Sequence, residues 1–162
     1  MTEYFLTGTY SEPILFGTGE LFKGKGEGIY LCALEDGDIR ILDCLKLGNP
    51  SFLAINEEKK HIYAVNEMKE FKGVYGGGLT DIVYDDTGRM TVVDSFPTGG
   101  WDPCHVAVSP DGGVVCVANY ADGKAGVCAQ RTQHSSDASG GTACTQYPVF
   151  AGWQTVRDGS GD

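Results

Sequence analysis

No C-x-x-C pair occurs among the six cysteines, Cys32, Cys44, Cys104, Cys116, Cys128 and Cys144. A structural zinc site or a redox dithiol needs such spacing. The three histidines, His61, His105 and His134, are scattered as well, so no metal centre is expected. The chain start has no basic segment followed by an apolar one, and no apolar run is long enough to span a bilayer. Membrane partners are therefore not expected, and the chain is placed in the cytoplasm. There the cysteines read as small buried hydrophobes rather than bridges. Positive charge is scarce: 12 Lys and Arg stand against 22 Asp and Glu, a formal net charge of −10. That balance argues against nucleic acid or an anionic membrane surface as partner. Apolar residues are not scarce; at 41% they suffice for a core, and disorder throughout is excluded.

The best-defined unit runs from Thr98 to Tyr120, T-G-G-W-D-P-C-H-V-A-V-S-P-D-G-G-V-V-C-V-A-N-Y. Cys104–Val108 and Val114–Asn119 are short apolar, β-branched runs that read as strands. Between them Ser109-Pro110-Asp111-Gly112-Gly113 is dense turn chemistry, and the whole reads as a hairpin. Because both sides are continuous apolar runs, both faces are expected to be covered by neighbouring sheets.

The unit occurs once before, as N-P-S-F-L-A-I-N-E-E-K-K-H-I-Y-A-V-N-E over Asn49–Glu67. Pro50 falls on Pro103, Ala54 on Ala107 and Asn66 on Asn119, each 53 residues apart with no gap. Gly28-Ile29-Tyr30-Leu31 leading to Gly37 likewise anticipates Gly78-Leu79-Thr80-Asp81 leading to Gly88. Four strands recurring at roughly 50 residues point to propeller blades. The fold class expected is all-β, an incomplete β-propeller of two to three four-stranded antiparallel blades.

The first blade, residues 4–45, lacks its inner strand and carries a polar, glycine-rich loop over Ser11–Lys25. The second, 51–95, is whole, with Gly76-Gly77-Gly78 as a flexible crossing. The third, 104–130, is partial. Residues 131–162 show neither alternation nor repeat and read as an irregular or disordered tail. With fewer blades than a closed ring needs, open sheet edges are expected to invite self-association.

G-T-Y near the start, G-N-P-S-F-L-A, Y-A-V-N-E, G-G-G-L-T, P-T-G-G-W-D-P-C-H-V-A-V-S-P-D-G and V-A-N-Y together resemble the seven-bladed propeller lactonase family over Tyr4–Gln130. The resemblance implies seven blades around a channel and hydrolysis of 6-phosphogluconolactone to 6-phosphogluconate in the pentose phosphate pathway. It implies a small sugar lactone as partner and no cofactor. Lactonizing cyclases that act on a muconate share the scaffold, and a non-catalytic propeller fragment is the third reading. The expectation is a truncated or frame-disrupted member, too short to be active alone.

Lactone opening needs a base for water and donors for the developing oxyanion. The candidates lie where an inner strand starts and where the next strand ends. His105 is a candidate base, since imidazole is the side chain whose charge changes near neutral pH. Glu67 is the second catalytic candidate. Asn66, Asn119 and Tyr120 are candidates for substrate binding. The recurrence of the two asparagines at equivalent positions also fits turn formation, since Asn tolerates left-handed backbone. Lys69 and Lys72 read as solvated loop lysines.

Overall fold

A computed structural model describes residues 1–129 and 143–148. They form strands and no helix. Three antiparallel sheets carry the fold, each a blade.

The first blade has three strands, β1 (Glu3–Gly8), β4 (Gly28–Glu35) and β5 (Asp38–Lys46), in the order β1-β4-β5. No strand pairs with the free side of β1 among the described residues. A groove of about 760 Å³, lined in part by Tyr4, Phe5, Leu6, Ile55, Ile62 and Met90, runs between this blade and the next. The loop expected over Ser11–Lys25 instead folds back as a small hairpin of β2 (Pro13–Leu15) and β3 (Leu21–Lys23). Phe16 and Phe22 meet across it, with ring centroids 5.7 Å apart. Aromatic contact of this kind lets a short, glycine-interrupted segment hold strand geometry.

The second blade is complete: β6 (Pro50–Asn56), β7 (His61–Asn66), β10 (Gly78–Tyr84) and β11 (Met90–Pro97), ordered β6-β7-β10-β11 from the inside. A two-residue pair, β8 (Glu70–Phe71) with β9 (Val74–Tyr75), decorates the β7–β10 connection. The crossing at Gly76–Gly78 is hydrogen-bonded into place. Gly77 donates its N–H to Gly100 O at 2.8 Å and accepts from Thr98 N at 2.8 Å. A Cβ at Gly77 would lie 2.1 Å from Pro103 Cδ. Gly77→Ala is therefore expected to cost about 1–3 kcal/mol through overpacking, read as a lowered urea midpoint.

The third blade is β12 (Pro103–Val108), β13 (Val114–Asn119), β14 (Lys124–Ala129) and β15 (Ala143–Pro148). The tail expected over 131–162 thus contains a strand, which pairs antiparallel with β14 from Lys124↔Pro148 to Ala129↔Ala143. Its sequence, A-C-T-Q-Y-P, has too few apolar residues to announce a strand; the ladder with β14 supplies what local pattern does not. The rest of that tail lies outside the described residues.

The blades pack through two apolar clusters. Ile29, Ile62, Ala64, Ile82 and Met90 join the first blade to the second. Tyr63, Val65, Leu79, Val106, Val115, Val117 and Cys128 join the second to the third. Strand β7 therefore has neighbours on both faces and is buried from Ile62 to Asn66. Strand β13 does not: buried Val115, Val117 and Asn119 alternate with exposed Val114, Cys116 and Ala118. The expectation that both faces of this hairpin are covered fails for β13, because no fourth blade packs on it among the described residues.

The cysteines also divide. Cys32 is buried, as expected, but Cys116 is exposed. Cys128 is disulfide-bonded, contrary to the expectation of free thiols. The residue opposite it in the β14–β15 ladder is Cys144. Spacing in the sequence does not report disulfide formation, which depends on proximity in space.

Candidate active site at the channel mouth

Inner strands β6 and β12 start, and strands β7 and β13 end, at the same end of their blades. That end gathers every candidate residue. The turns into the inner strands are tight: Asn49 and Asp102, each directly before a proline, adopt φ of 42° and 50°. Asn and Asp tolerate this left-handed conformation better than other side-chain-bearing residues.

Glu67 follows β7 and is half-buried. Tyr10, in the equivalent place after β1, donates its hydroxyl to Glu67 Oε2 at 2.9 Å. Burial first, then this bond and the Glu67 charge, push the Tyr10 phenol up to about 12, so it stays a donor at neutral pH. Tyr10 is held in turn by Phe22 of β3, edge to face at 5.8 Å. Asp102 and Cys104 lie close enough to act electrostatically on Tyr10. Burial raises the Cys104 thiol, and the Glu67 carboxylate adds to it.

His105, on β12, is exposed. Its ring lies 4.4 Å from that of Phe52, the matching residue of β6, at an interplanar angle of 41°. The two therefore line the channel side of adjacent inner strands. The structure brings Glu67 to Tyr10, Asp102 and Cys104, and His105 to Phe52.

Asn66 and Asn119 are buried, at 0% and 3% exposure. The Asn66 amide donates to Gly48 O at 2.7 Å and accepts from Thr80 Oγ1 at 2.7 Å. The Asn119 amide donates to Lys124 O at 3.2 Å and accepts from Thr98 Oγ1 at 2.7 Å. Both side chains are committed to neighbouring turns and threonines. Asn66→Ala is expected to cost about 1–3 kcal/mol, since it strands the Gly48 carbonyl and the Thr80 hydroxyl in a buried place; urea unfolding reads it.

Tyr120, first past β13, is 79% exposed at the rim. Lys69 reaches from the loop after Glu67 to Leu15 O at 3.5 Å and to Asp102 Oδ2 at 3.9 Å. Lys72 donates to Ser95 O at 2.9 Å and rides over the Phe71 ring.

Sequence reasoning missed Tyr10, Asp102 and Cys104. The first was legible: Tyr10 stands to β1 as Glu67 stands to β7. It also missed a polar group away from the mouth, where His61 Nδ1 lies 2.7 Å from Asp81 Oδ1. Burial raises the Asp81 carboxyl, against the opposing pull of His61. Tyr63, on the same face and packed on the third blade, is pushed up to about 12 by burial and then by Asp81. This group sits between blades rather than on the channel.

Among the described residues no group of three or more His, Cys, Asp or Glu is placed to hold a metal ion. None of the described residues forms a helix long and apolar enough to cross a membrane. A half-buried carboxylate held by a phenol, with an imidazole exposed on the next inner strand, suits proton transfer on a small polar molecule.

Comparison with known proteins agrees with this architecture. The sequence profile described as Lactonase, 7-bladed beta-propeller matches residues 5–147. The chain is 30% identical over 109 residues to a 6-phosphogluconolactonase of Bacillus subtilis (strain 168), covering 65% of this chain and 30% of that protein. A solved periplasmic gluconolactonase of Pseudomonas aeruginosa superposes with a TM-score of 0.65 at 26% identity, covering 88% of this chain and 37% of the other. A solved structure from Bacteroides uniformis ATCC 8492 gives a TM-score of 0.64 at 30% identity, covering 86% and 35%. The chain thus spans about a third of the length of these relatives.

Proposed function

The chain belongs to the lactonase family of seven-bladed β-propellers, and from that premise we propose that it carries part of a site for hydrolysing 6-phosphogluconolactone to 6-phosphogluconate. The observation that carries the reading is the Tyr10–Glu67 pair at the mouth of the channel.

In this proposal Glu67 takes a proton from water. The water oxygen bonds to the lactone carbonyl carbon, and the electron pair moves onto the carbonyl oxygen. When the carbonyl re-forms, the ring C–O bond breaks and the leaving oxygen takes up the proton that Glu67 removed from water. Tyr10 holds the carboxylate in one orientation, which lowers the entropic cost of the step. His105 is the second proton carrier, on the channel wall. Tyr120 at the rim is the substrate-binding candidate best placed to touch a ligand. Asn66 and Asn119 contribute by fixing the turns that carry Glu67 and Tyr120. The step as written needs no cofactor.

A cytoplasmic setting goes with this substrate, which is an intracellular metabolite. Self-association belongs to the same reading: β1 has a ladder partner on one side only, β4, among the described residues, and such an edge is a template for another strand.

The test is turnover by the chain as it stands, above the spontaneous rate: acid release from 6-phosphogluconolactone and from gluconolactone, and proton uptake with lactone formation from a muconate. Acid from the phosphorylated lactone supports the proposal. Turnover of the muconate alone replaces it with the cyclase reading. No turnover of any of the three leaves a non-catalytic propeller fragment.

A further inference from the structure

Asn49 and Asp102 occupy the same place in consecutive repeats, 53 residues apart. Each accepts a backbone bond from the residue after the second strand of its own blade: Glu67 N to Asn49 O at 3.0 Å, and Tyr120 N to Asp102 O at 3.0 Å. Each also reaches the mouth loop of the preceding blade. There the likeness stops.

The Asn49 amide is fully used. Its Oδ1 accepts from Ser11 N at 3.0 Å and from Glu12 N at 2.8 Å, and its Nδ2 donates to Glu67 O at 3.1 Å. It therefore latches three segments together with one acceptor and one donor. Asp102 is buried as well, 8% exposed against 0% for Asn49. Among the described residues its Oδ1 is buried with no hydrogen-bond partner, and its Oδ2 has the long contact to Lys69 at 3.9 Å. An ionised carboxylate accepts and never donates, whereas a protonated carboxyl, like an amide, does both. Only the protonated form of Asp102 can reproduce the donor half of the Asn49 latch, toward Tyr120 O.

We propose that Asp102 is a positioning residue of the channel mouth, a proton-dependent latch that pins the Tyr120 turn when protonated and releases it when ionised. The groups facing it are Lys69 and Glu67 from the loop after β7, Asp122 from the β13–β14 turn, and Tyr10 and Cys104 beside them. Asp122 is itself paired with Lys124 at 3.0 Å. Burial, opposed by Lys69 and reinforced by Glu67 and Asp122, raises the Asp102 carboxyl above the usual range. A carboxyl raised on folding contributes stability below its unfolded value of about 3.9 and loses it as pH rises through the folded value. The catalytic meaning of the latch rests on the lactonase reading, in which Tyr120 faces substrate; the latch itself does not.

The variant is Asp102→Asn, which the repeat shows to fit, since Asn49 fills the same turn. Urea midpoints of the whole chain are followed from about pH 4 upward. The expected result is a wild-type midpoint that falls relative to D102N as pH rises, with D102N the more stable at neutral pH. Amide exchange at Tyr120–Lys124 in the wild type should speed up over the same window beyond the intrinsic pH effect, and stay slow in D102N. A D102N chain no more stable than wild type at neutral pH, with turn protection unchanged by pH, overturns the latch. Should D102N not fold, the wild-type exchange series decides alone. Absence of lactone opening by the wild type bears on the lactonase reading and leaves both stability measurements intact.

Discussion

Under the proposed lactonase reading, Glu67→Gln is expected to lower the kcat for lactone opening by about 10²- to 10⁴-fold, the usual contribution of a general base. The substitution keeps the length and shape of the side chain, and its amide oxygen still accepts the Tyr10 hydroxyl that Glu67 Oε2 accepts at 2.9 Å. What disappears is the ability to take a proton from water. KM should change little, because no binding contact is removed. His105→Gln is the control for the rival base. If E67Q retains full kcat while H105Q loses it, the base is the histidine packed against Phe52, and Glu67 only anchors Tyr10. The measurement is steady-state acid release, with urea unfolding to show that both variants are folded.

Leu79→Ala is expected to destabilise the chain by about 2–5 kcal/mol, the range for removing a buried leucine side chain. Leu79 is 0% exposed on β10 and packs with Tyr63, Val65, Val106, Val115 and Val117 across the boundary between the second and third blades. A cavity there lies between sheets that are each kept rigid by their own backbone ladders, so little collapse can offset it. Total stability of a small domain is about 5–15 kcal/mol, so the loss is a large share. The reading is the urea midpoint, with circular dichroism following strand content. Ile41→Ala on the outer strand β5, where the side chain is 61% exposed, should stay within about 0.5 kcal/mol. Equal losses at both positions would mean that the inter-blade cluster does not hold the blades together.

The blade pattern was legible because two repeats of similar sequence align without gaps, and because strands of apolar, β-branched residues bounded by Asp-Gly and Pro turns declare themselves locally. Strand β13 emerged with its bounds as read, Val114–Asn119. The short hairpin β2–β3 was not legible, since its strands are three residues each and owe their pairing to Phe16, Phe22 and Tyr10 meeting in space. Nor was β15, which is a strand because β14 offers it an edge. At the mouth, Glu67 and His105 were named from position in the repeat, but whom they touch was not. Tyr10 and Glu67 are 57 residues apart in the chain, and only the packing of the first blade on the second joins them.

By itself the amino-acid order determined the period, the strand-forming segments and the turns, because these depend on neighbours within a few residues: alternation, β-branching, and the backbone freedom of Gly, Asn and Asp. Tertiary structure alone decided which polar groups are spent on architecture and which remain for chemistry. Asn66 and Asn119 look like ligands in the sequence and are consumed by turns in space. Asp102 looks like a turn residue and keeps a buried oxygen unmatched. That distinction depends on burial and on partners from other blades, and no local pattern of residues contains either.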